Sequence, residues 1–134
     1  MRVLVAAQPA AWAVLRMLLQ ECSDAVPVHS PADAFTLLRR PHQTDAILAT
    51  IAFDDSRMLE FLQAVKRDRV LRKIPFLCLR VLPSVLPDNL VQKVGDVCKK
   101  CGAVDLIDLA NLPPGAAASI LRSALASSAP APGI

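Results

Sequence analysis

The sequence has few aromatic residues and no long uninterrupted apolar run. Its 134 residues include four phenylalanines, one tryptophan and no tyrosine, although 54% are hydrophobic. No apolar run reaches the roughly 18 to 20 residues that a helix needs to cross a bilayer, which excludes a transmembrane helix. The N-terminal apolar stretch soon meets Pro9 and lacks a small-residue cleavage site, so we predict no secretory signal and a cytoplasmic protein.

The chain also lacks a strong charge imbalance. Its 15 basic and 12 acidic residues give a formal net charge of +3, which is too small to indicate nucleic acid by itself. Five cations lie between Lys66 and Lys73, but no aromatic residues interleave with them as a single-strand binder would need. We interpret this run as a solvated helix end and expect neither nucleic acid nor a membrane to bind through this domain.

Cysteine is scarce as well, with four residues that a reducing compartment would keep as thiols. Cys98 and Cys101 form a CxxC motif, a spacing that redox proteins and zinc sites use. The motif lies at the end of a predicted helix, where the helix dipole raises a thiol pKa. Zinc would need two more ligands, and no second paired motif supplies them from Cys22, Cys78, His29 or His42. We therefore prefer buried packing for both thiols and treat the two histidines as surface residues.

Five apolar stretches alternate with stretches of helical periodicity, which predicts a parallel β-sheet flanked by helices. Helix-start signals follow the first, second, fourth and fifth stretches, at Pro9, Ser30, Asp88 and Pro114. The predicted strands are Val3 to Ala7, Ala25 to Val28, Ala46 to Ala52, Phe76 to Leu79 and Val104 to Ile107.

Five such units with right-handed crossovers predict an α/β, doubly wound, three-layer sandwich. The size favours a five-stranded parallel sheet in the flavodoxin-like order 2-1-3-4-5. We assign residues 1–125 to this domain and residues 126–134, with their Ser, Ala, Pro and Gly, to a disordered tail or truncated linker. Ligands of such sheets gather at the carboxyl ends of strands one and three, so site residues are expected there.

The order of these motifs resembles the receiver domain of response regulators. Asp45 to Ala49 is similar to the strand that precedes the phosphoacceptor, and Leu59 to Leu62 resembles the third helix. Leu71 to Leu79 is similar to the lead into the fourth strand, and Gly102 to Leu106 resembles the family's Gly-Ala-Asp-Asp-Tyr run. The resemblance implies the receiver fold, close to that of CheY, up to Leu125. It also implies two-component, or phosphorelay, signalling.

The positions of receiver chemistry have changed. An active receiver needs two acids after the first strand and an acceptor aspartate after the third to hold Mg²⁺, and the resemblance places Ala7, Gln8 and Thr50 there. None of these is a carboxylate, and threonine cannot form an acyl phosphate. We therefore expect no metal, no cofactor and no enzyme activity. The positions of the switch hydroxyl, the lysine and the switch aromatic are Arg80, Leu109 and Leu106.

Asp54 and Asp55 follow the third strand, near the degenerate pocket. They lack the acidic partners that a metal site requires, so a solvated loop is the preferred interpretation. We predict that Arg80 or this acidic loop fills the pocket, with Arg80 pairing with Asp54 or Asp55 and holding the domain in one state. An exposed arginine at the strand end is the alternative.

Together these features predict a phosphorylation-independent receiver-like module that binds another protein. The partner would be a signalling kinase, a regulator, an output domain or a second copy of the chain. The resemblance implies contact through the fourth helix, fifth strand and fifth helix, whose charges would supply specificity. A phosphorylation-competent atypical receiver and a thiol redox or metal switch at Cys98 and Cys101 are the alternatives. The charged residues of the implied face are Lys93, Lys99, Lys100, Asp105 and Arg122.

Overall fold

The computed structural model describes residues 2–20, 24–40 and 44–128. In this part of the chain, five parallel strands form a sheet in the order β2-β1-β3-β4-β5. The predicted fold class and strand order are confirmed. The strands are β1 (Arg2–Ala6), β2 (Asp24–Val28), β3 (Ala46–Thr50), β4 (Phe76–Arg80) and β5 (Asp105–Asp108).

Five helices of eight or more residues flank the described sheet, and local sequence explains several of their boundaries. Proline occupies the first turn of the first two helices, and the hydroxyl of Ser30 accepts a hydrogen bond from the Asp33 N–H. Gly102, with φ of 108°, follows the fourth helix. The helices are α1 (Pro9–Leu18), α2 (Pro31–Leu38), α3 (Met58–Arg67), α4 (Val91–Lys100) and α5 (Pro114–Ser128).

Two hydrophobic cores cover the two faces of the sheet. Neighbouring residues of a strand point to opposite faces, so Leu4 and Ile47 lie in the core of α2, α3 and α4. Val5 and Leu48 lie in the core of α1 and α5. Every residue of β3 and β4 is buried, which explains why these strands are apolar in the sequence up to their last residues, Thr50 and Arg80.

Several boundaries differ from the prediction. The helix α5 continues to Ser128, so residues 126–128 are helical rather than part of a tail. The predicted cap at Asp88 is also wrong, because Asp88 begins a 3-10 turn (Asp88–Leu90) and Leu90 precedes α4 without a side-chain cap. The tail from residue 129, Cys22 and His42 lie outside the described residues. No helix in the described ranges is long and apolar enough to cross a membrane.

Candidate functional site at the carboxyl ends of the strands

The position that the resemblance assigns to the phosphoacceptor holds a buried, hydrogen-bonded hydroxyl. Thr50 ends β3 and is only 2% exposed. Its Oγ1 lies 2.8 Å from Gln8 Oε1 and 3.5 Å from the carbonyl oxygen of Ala6. Gln8 precedes α1 without capping it, since its amide oxygen accepts this bond instead. The structure thus brings Thr50 and Gln8 together, as the resemblance implies.

Ala7 is also fixed at this end of β1. It is fully buried, and its N–H donates to the carbonyl of Val28 at 3.2 Å. Its own carbonyl lies 2.7 Å from His29 Nδ1, so that nitrogen carries the proton that is donated. His29 is exposed, as predicted, yet its ring ties the end of β2 to the end of β1. Nothing in the local spacing of the sequence indicates this contact.

The acidic pair after β3 lies in an unusual turn. Asp54, Asp55 and Ser56 have φ values of 53°, 54° and 66°, a left-handed conformation that costs non-glycine residues energy. The carboxylate of Asp54 pairs with Arg57 across 3.4 Å. The hydrogen bonds of Arg80 go elsewhere, so the predicted pairing of Arg80 with Asp54 or Asp55 is wrong.

Arg80 ends β4 and is only 1% exposed, so the alternative of an exposed arginine is also wrong. Its Nη1 donates to Asp108 Oδ2 at 3.0 Å, and its Nη2 donates to Asp88 Oδ1 at 2.6 Å. The same Nη2 also lies 3.2 and 2.7 Å from the carbonyl oxygens of Pro83 and Leu86, so its two hydrogens are shared among three acceptors. We name Arg80 and these four partners the Arg80 clamp. It joins the end of β4, the loop that follows and the end of β5.

Hydrogen bonds and opposite charges favour the charged forms of Arg80 and Asp88. Burial alone would lower the pKa of Arg80, but the hydrogen bonds and charges of Asp88 and Asp108 outweigh it, so the pKa is raised. The bond from Arg80, and then one from Asn111, lower the pKa of Asp88. Arg80 Nε is buried without a hydrogen-bond partner in the described ranges, a cost that the other bonds of the guanidinium offset.

Leu109 and Leu106 both contribute to packing. Leu109, which the resemblance assigns to the lysine position, is 5% exposed and belongs to the core of α1 and α5. Leu106, which the resemblance assigns to the switch aromatic, packs partly buried against the opposite core. A Cβ atom added at Gly95 would lie 3.4 Å from Leu106 Cβ, so α4 approaches β5 closely there. Neither position offers a charged or aromatic group.

The cysteines of the described part are free thiols. Cys78 in β4 and Cys98 in α4 are buried, whereas Cys101 is half-buried and receives a weak bond from Gln63 at 3.8 Å. A hydrogen bond with Cys98 and burial raise the pKa of Cys78. Within the described ranges, no group of three or more His, Cys, Asp or Glu side chains could hold a metal ion.

The structure gathers four of the five charged residues of the implied interaction face. Lys93, Lys99 and Lys100 lie exposed on α4, and Lys99 pairs with Asp105 of β5 at 3.5 Å. Arg122 is on another side of α5, beside Met17 and Leu18 of α1. The side of α5 that faces β5 carries Ile120 and Ala124. Arg122 is therefore separated from the other four charges.

Comparison with known proteins finds similarity in structure and not in sequence. No protein-family model and no curated protein matches the chain. The signal receiver domain of a response regulator from Bacteroides fragilis has a TM-score of 0.72 at 18% identity over 96% of both chains. The phosphorylated cyanobacterial phytochrome response regulator RcpA has a TM-score of 0.73 at 17% sequence identity, over 98% of both chains. The receiver domain of a histidine kinase from Syntrophus aciditrophicus has a TM-score of 0.68 at 21% sequence identity, over 99% of this chain and 96% of that one.

Proposed function

We propose that this chain, which has the fold of response-regulator receiver domains, is a protein-interaction module of two-component signalling that works without phosphorylation. The observation that carries the proposal is the hydrogen bond of 2.8 Å between Thr50 and Gln8. At the point where a receiver accepts phosphate, this chain has a buried alcohol bonded to a neutral amide. The bond joins the end of β3 to the residue that precedes α1, and neither side chain is a carboxylate that could form an acyl phosphate.

The chemistry of phosphorylation argues against catalysis at this point. Formation of an acyl phosphate needs a carboxylate nucleophile, and the added negative charge needs a divalent cation held by acidic ligands. Ala7 has no ligand atom in its side chain, and the amide oxygen of Gln8 already accepts a bond from Thr50. Asp54, in the next turn, is paired with Arg57. The site therefore lacks both the nucleophile and the cation ligands.

The Arg80 clamp supports the second half of the proposal, that the domain keeps one arrangement without phosphate. Arg80 occupies the position of the switch hydroxyl. Its bonds hold the loop after β4 against Asp108 at the end of β5. A buried cation with carboxylate and carbonyl partners is costly to move. Any shift between states would then come from a partner that binds one of them better.

The surface of α4, β5 and α5 suits such a partner. It has exposed apolar side chains at Val104 and Ile120, beside the charges of Lys99, Lys100 and Asp105. An apolar centre with a charged rim is usual in protein interfaces, and the rim charges govern specificity and association rate. A signalling kinase, a regulator, an output domain or a second copy would fit. The free thiols accord with a reducing, cytoplasmic setting.

Incubation with acetyl phosphate and Mg²⁺, followed by intact-mass measurement, tests the proposal. We expect no phosphoryl adduct, while the RcpA receiver handled in parallel serves as the positive control. The rival function is an atypical receiver that uses another acid. A base-labile adduct mapped to Asp54 or Asp55 would establish that rival and end the proposal.

A further inference from the structure

The positive charge of the chain is concentrated in residues 66–73. This segment has five cations and one acid, a formal net charge of +4, while the whole chain has +3, so all other residues together sum to −1. The segment comprises the end of α3 and the 3-10 turn Leu71–Lys73 before β4. Since the helices run back to the amino ends of the strands, it lies at the opposite end of the sheet from Thr50. We name residues 66–73 the basic loop.

Internal bonds fix the shape of the basic loop. Asp68 Oδ1 accepts hydrogen bonds from the N–H groups of Val70 and Leu71 at 2.9 and 3.1 Å. Lys66 Nζ donates to the carbonyl oxygen of Arg72 at 3.0 Å. The side chain of Leu71 is 3% exposed and anchors the turn in the core. The loop is therefore ordered before a partner arrives, which lowers the entropic cost of binding.

The outward side of the loop is cationic with one apolar side chain. Arg67, Arg69, Arg72 and Lys73 are exposed, and within the described ranges none of them is in an ion pair. Val70 lies among them in sequence and is 73% exposed. The only acid of the loop, Asp68, is held by backbone N–H groups and does not pair with these cations.

The end of α2 extends this charged surface. Arg39 lies over the ring of Phe35, 5.3 Å from its centroid, which restrains its guanidinium. It is also close enough to Asp68 to contribute, after the backbone bonds to Leu71 and Val70, to the lowered pKa of that carboxyl. Arg40 is exposed beside it. The cationic surface therefore extends from the basic loop to the end of α2.

The combination of arginines with an exposed valine distinguishes among anionic partners. A nucleic-acid backbone binds cations but gains nothing from Val70, and the loop has no aromatic side chain for base stacking. A membrane surface favours amphipathic helices with larger apolar groups. Protein interfaces are enriched in arginine and have apolar centres, and arginine binds carboxylates through paired hydrogen bonds. We propose that the basic loop and Arg39 dock an acidic protein segment, with an apolar side chain of that segment against Val70.

A fluorescently labelled peptide of alternating Glu, Asp and Leu residues is the probe for this site. We expect the full chain to bind it in an anisotropy titration at low salt, with NMR shifts centred on the basic loop. Arg69→Glu with Arg72→Glu should weaken binding roughly tenfold or more, because both cations face the carboxylates. The control with the same change of charge elsewhere, Arg16→Glu with Arg57→Glu, should change it less than about twofold, because both exposed arginines lie outside the basic loop.

Three further titrations make the test specific. Val70→Ser should weaken the peptide complex, because the apolar contact is lost. Duplex DNA and vesicles containing phosphatidylserine should bind more weakly than the peptide and respond little to Val70→Ser. The proposal is overturned if the peptide does not bind, if the control pair weakens it as much as the loop pair, or if DNA or vesicles bind better. These outcomes do not depend on phosphorylation at Thr50.

Discussion

Replacing Arg80 with methionine probes the energy of the Arg80 clamp. The substitution replaces the guanidinium with a shorter, unbranched apolar side chain and strands Asp108, which is only 33% exposed, and the carbonyls of Pro83 and Leu86. Removing one partner of a buried pair costs about 3–5 kcal/mol. Asp88 is 76% exposed and contributes little to that cost. The buried, unpaired Nε also disappears, which returns about 1 kcal/mol. We expect a net loss of about 3 kcal/mol in the free energy of unfolding.

Urea unfolding followed by circular dichroism measures this loss. Arg57→Met is the matched control, because its ion pair with Asp54 is 54% and 25% exposed and should be worth less than about 1 kcal/mol. The double substitution Arg80→Met with Asp108→Leu removes the stranded carboxylate as well and should recover part of the loss. If Arg80→Met unfolds at the same urea concentration as the native chain, the clamp does not stabilise the domain and the reasoning fails.

Three other substitutions or treatments test the turn at Asp55, the ion pair of Asp88 and the burial of the thiols. Asp55→Gly should raise the free energy of unfolding by about 0.5–1 kcal/mol, because glycine adopts the left-handed conformation without strain; an unchanged or lower value in urea unfolding would contradict this. The pKa of Asp88 is lowered from its ordinary 3.8, so its stabilising effect is present above that value and lost as the pH falls through the lower folded pKa. The difference in unfolding free energy between native chain and Asp88→Asn should therefore vanish in strong acid, and a constant difference would count against the ion pair. Cys78 and Cys98 should react with a thiol reagent only after denaturation, since both are buried; fast labelling of the native protein would revive the redox alternative.

The fold was predictable because its signals are local and consistent. The central strands β1, β3 and β4 are mostly short apolar runs, and the helices that follow the strands show capping residues or a period near 3.6. The buried strands β3 and β4 gave the clearest runs. Right-handed crossovers then leave few strand orders for five such units, and the observed order is the one predicted.

The site was only partly predictable, because its contacts are not local. Thr50, Gln8 and Ala7 came from alignment with a family pattern, and the structure places them at the ends of β3 and β1. The two carboxylate partners of Arg80 are 8 and 28 residues away along the chain, and their approach depends on the path of the loop after β4. The capping rule assigned Asp88 to α4, but the buried guanidinium competes for the same carboxylate.

Two other features were not predicted, and each has an identifiable cause. The loop at Asp54 and Asp55 was expected, but its left-handed conformation was not, because consecutive non-glycine residues rarely adopt it. Arg122 was assigned to the same face as Asp105, but the helical period of α5 places it beside Met17 and Leu18 of α1. Leu121 and Leu125 mark the buried stripe of α5, and Ile120 and Ala124 lie on the side of β5.

Addition of beryllofluoride with Mg²⁺, followed by backbone NMR, tests the central claim most directly. The phosphate mimic needs an acceptor carboxylate and a divalent cation to offset its charge, and the side chains of Thr50, Gln8 and Ala7 supply neither that carboxylate nor acidic ligands for the cation. The account predicts that the resonances of Thr50 and of the Arg80 clamp do not move in the native chain, while those of the RcpA receiver do. Chemical-shift changes centred on Thr50 and spreading to Arg80 would show that a phosphorylation switch still operates in this domain.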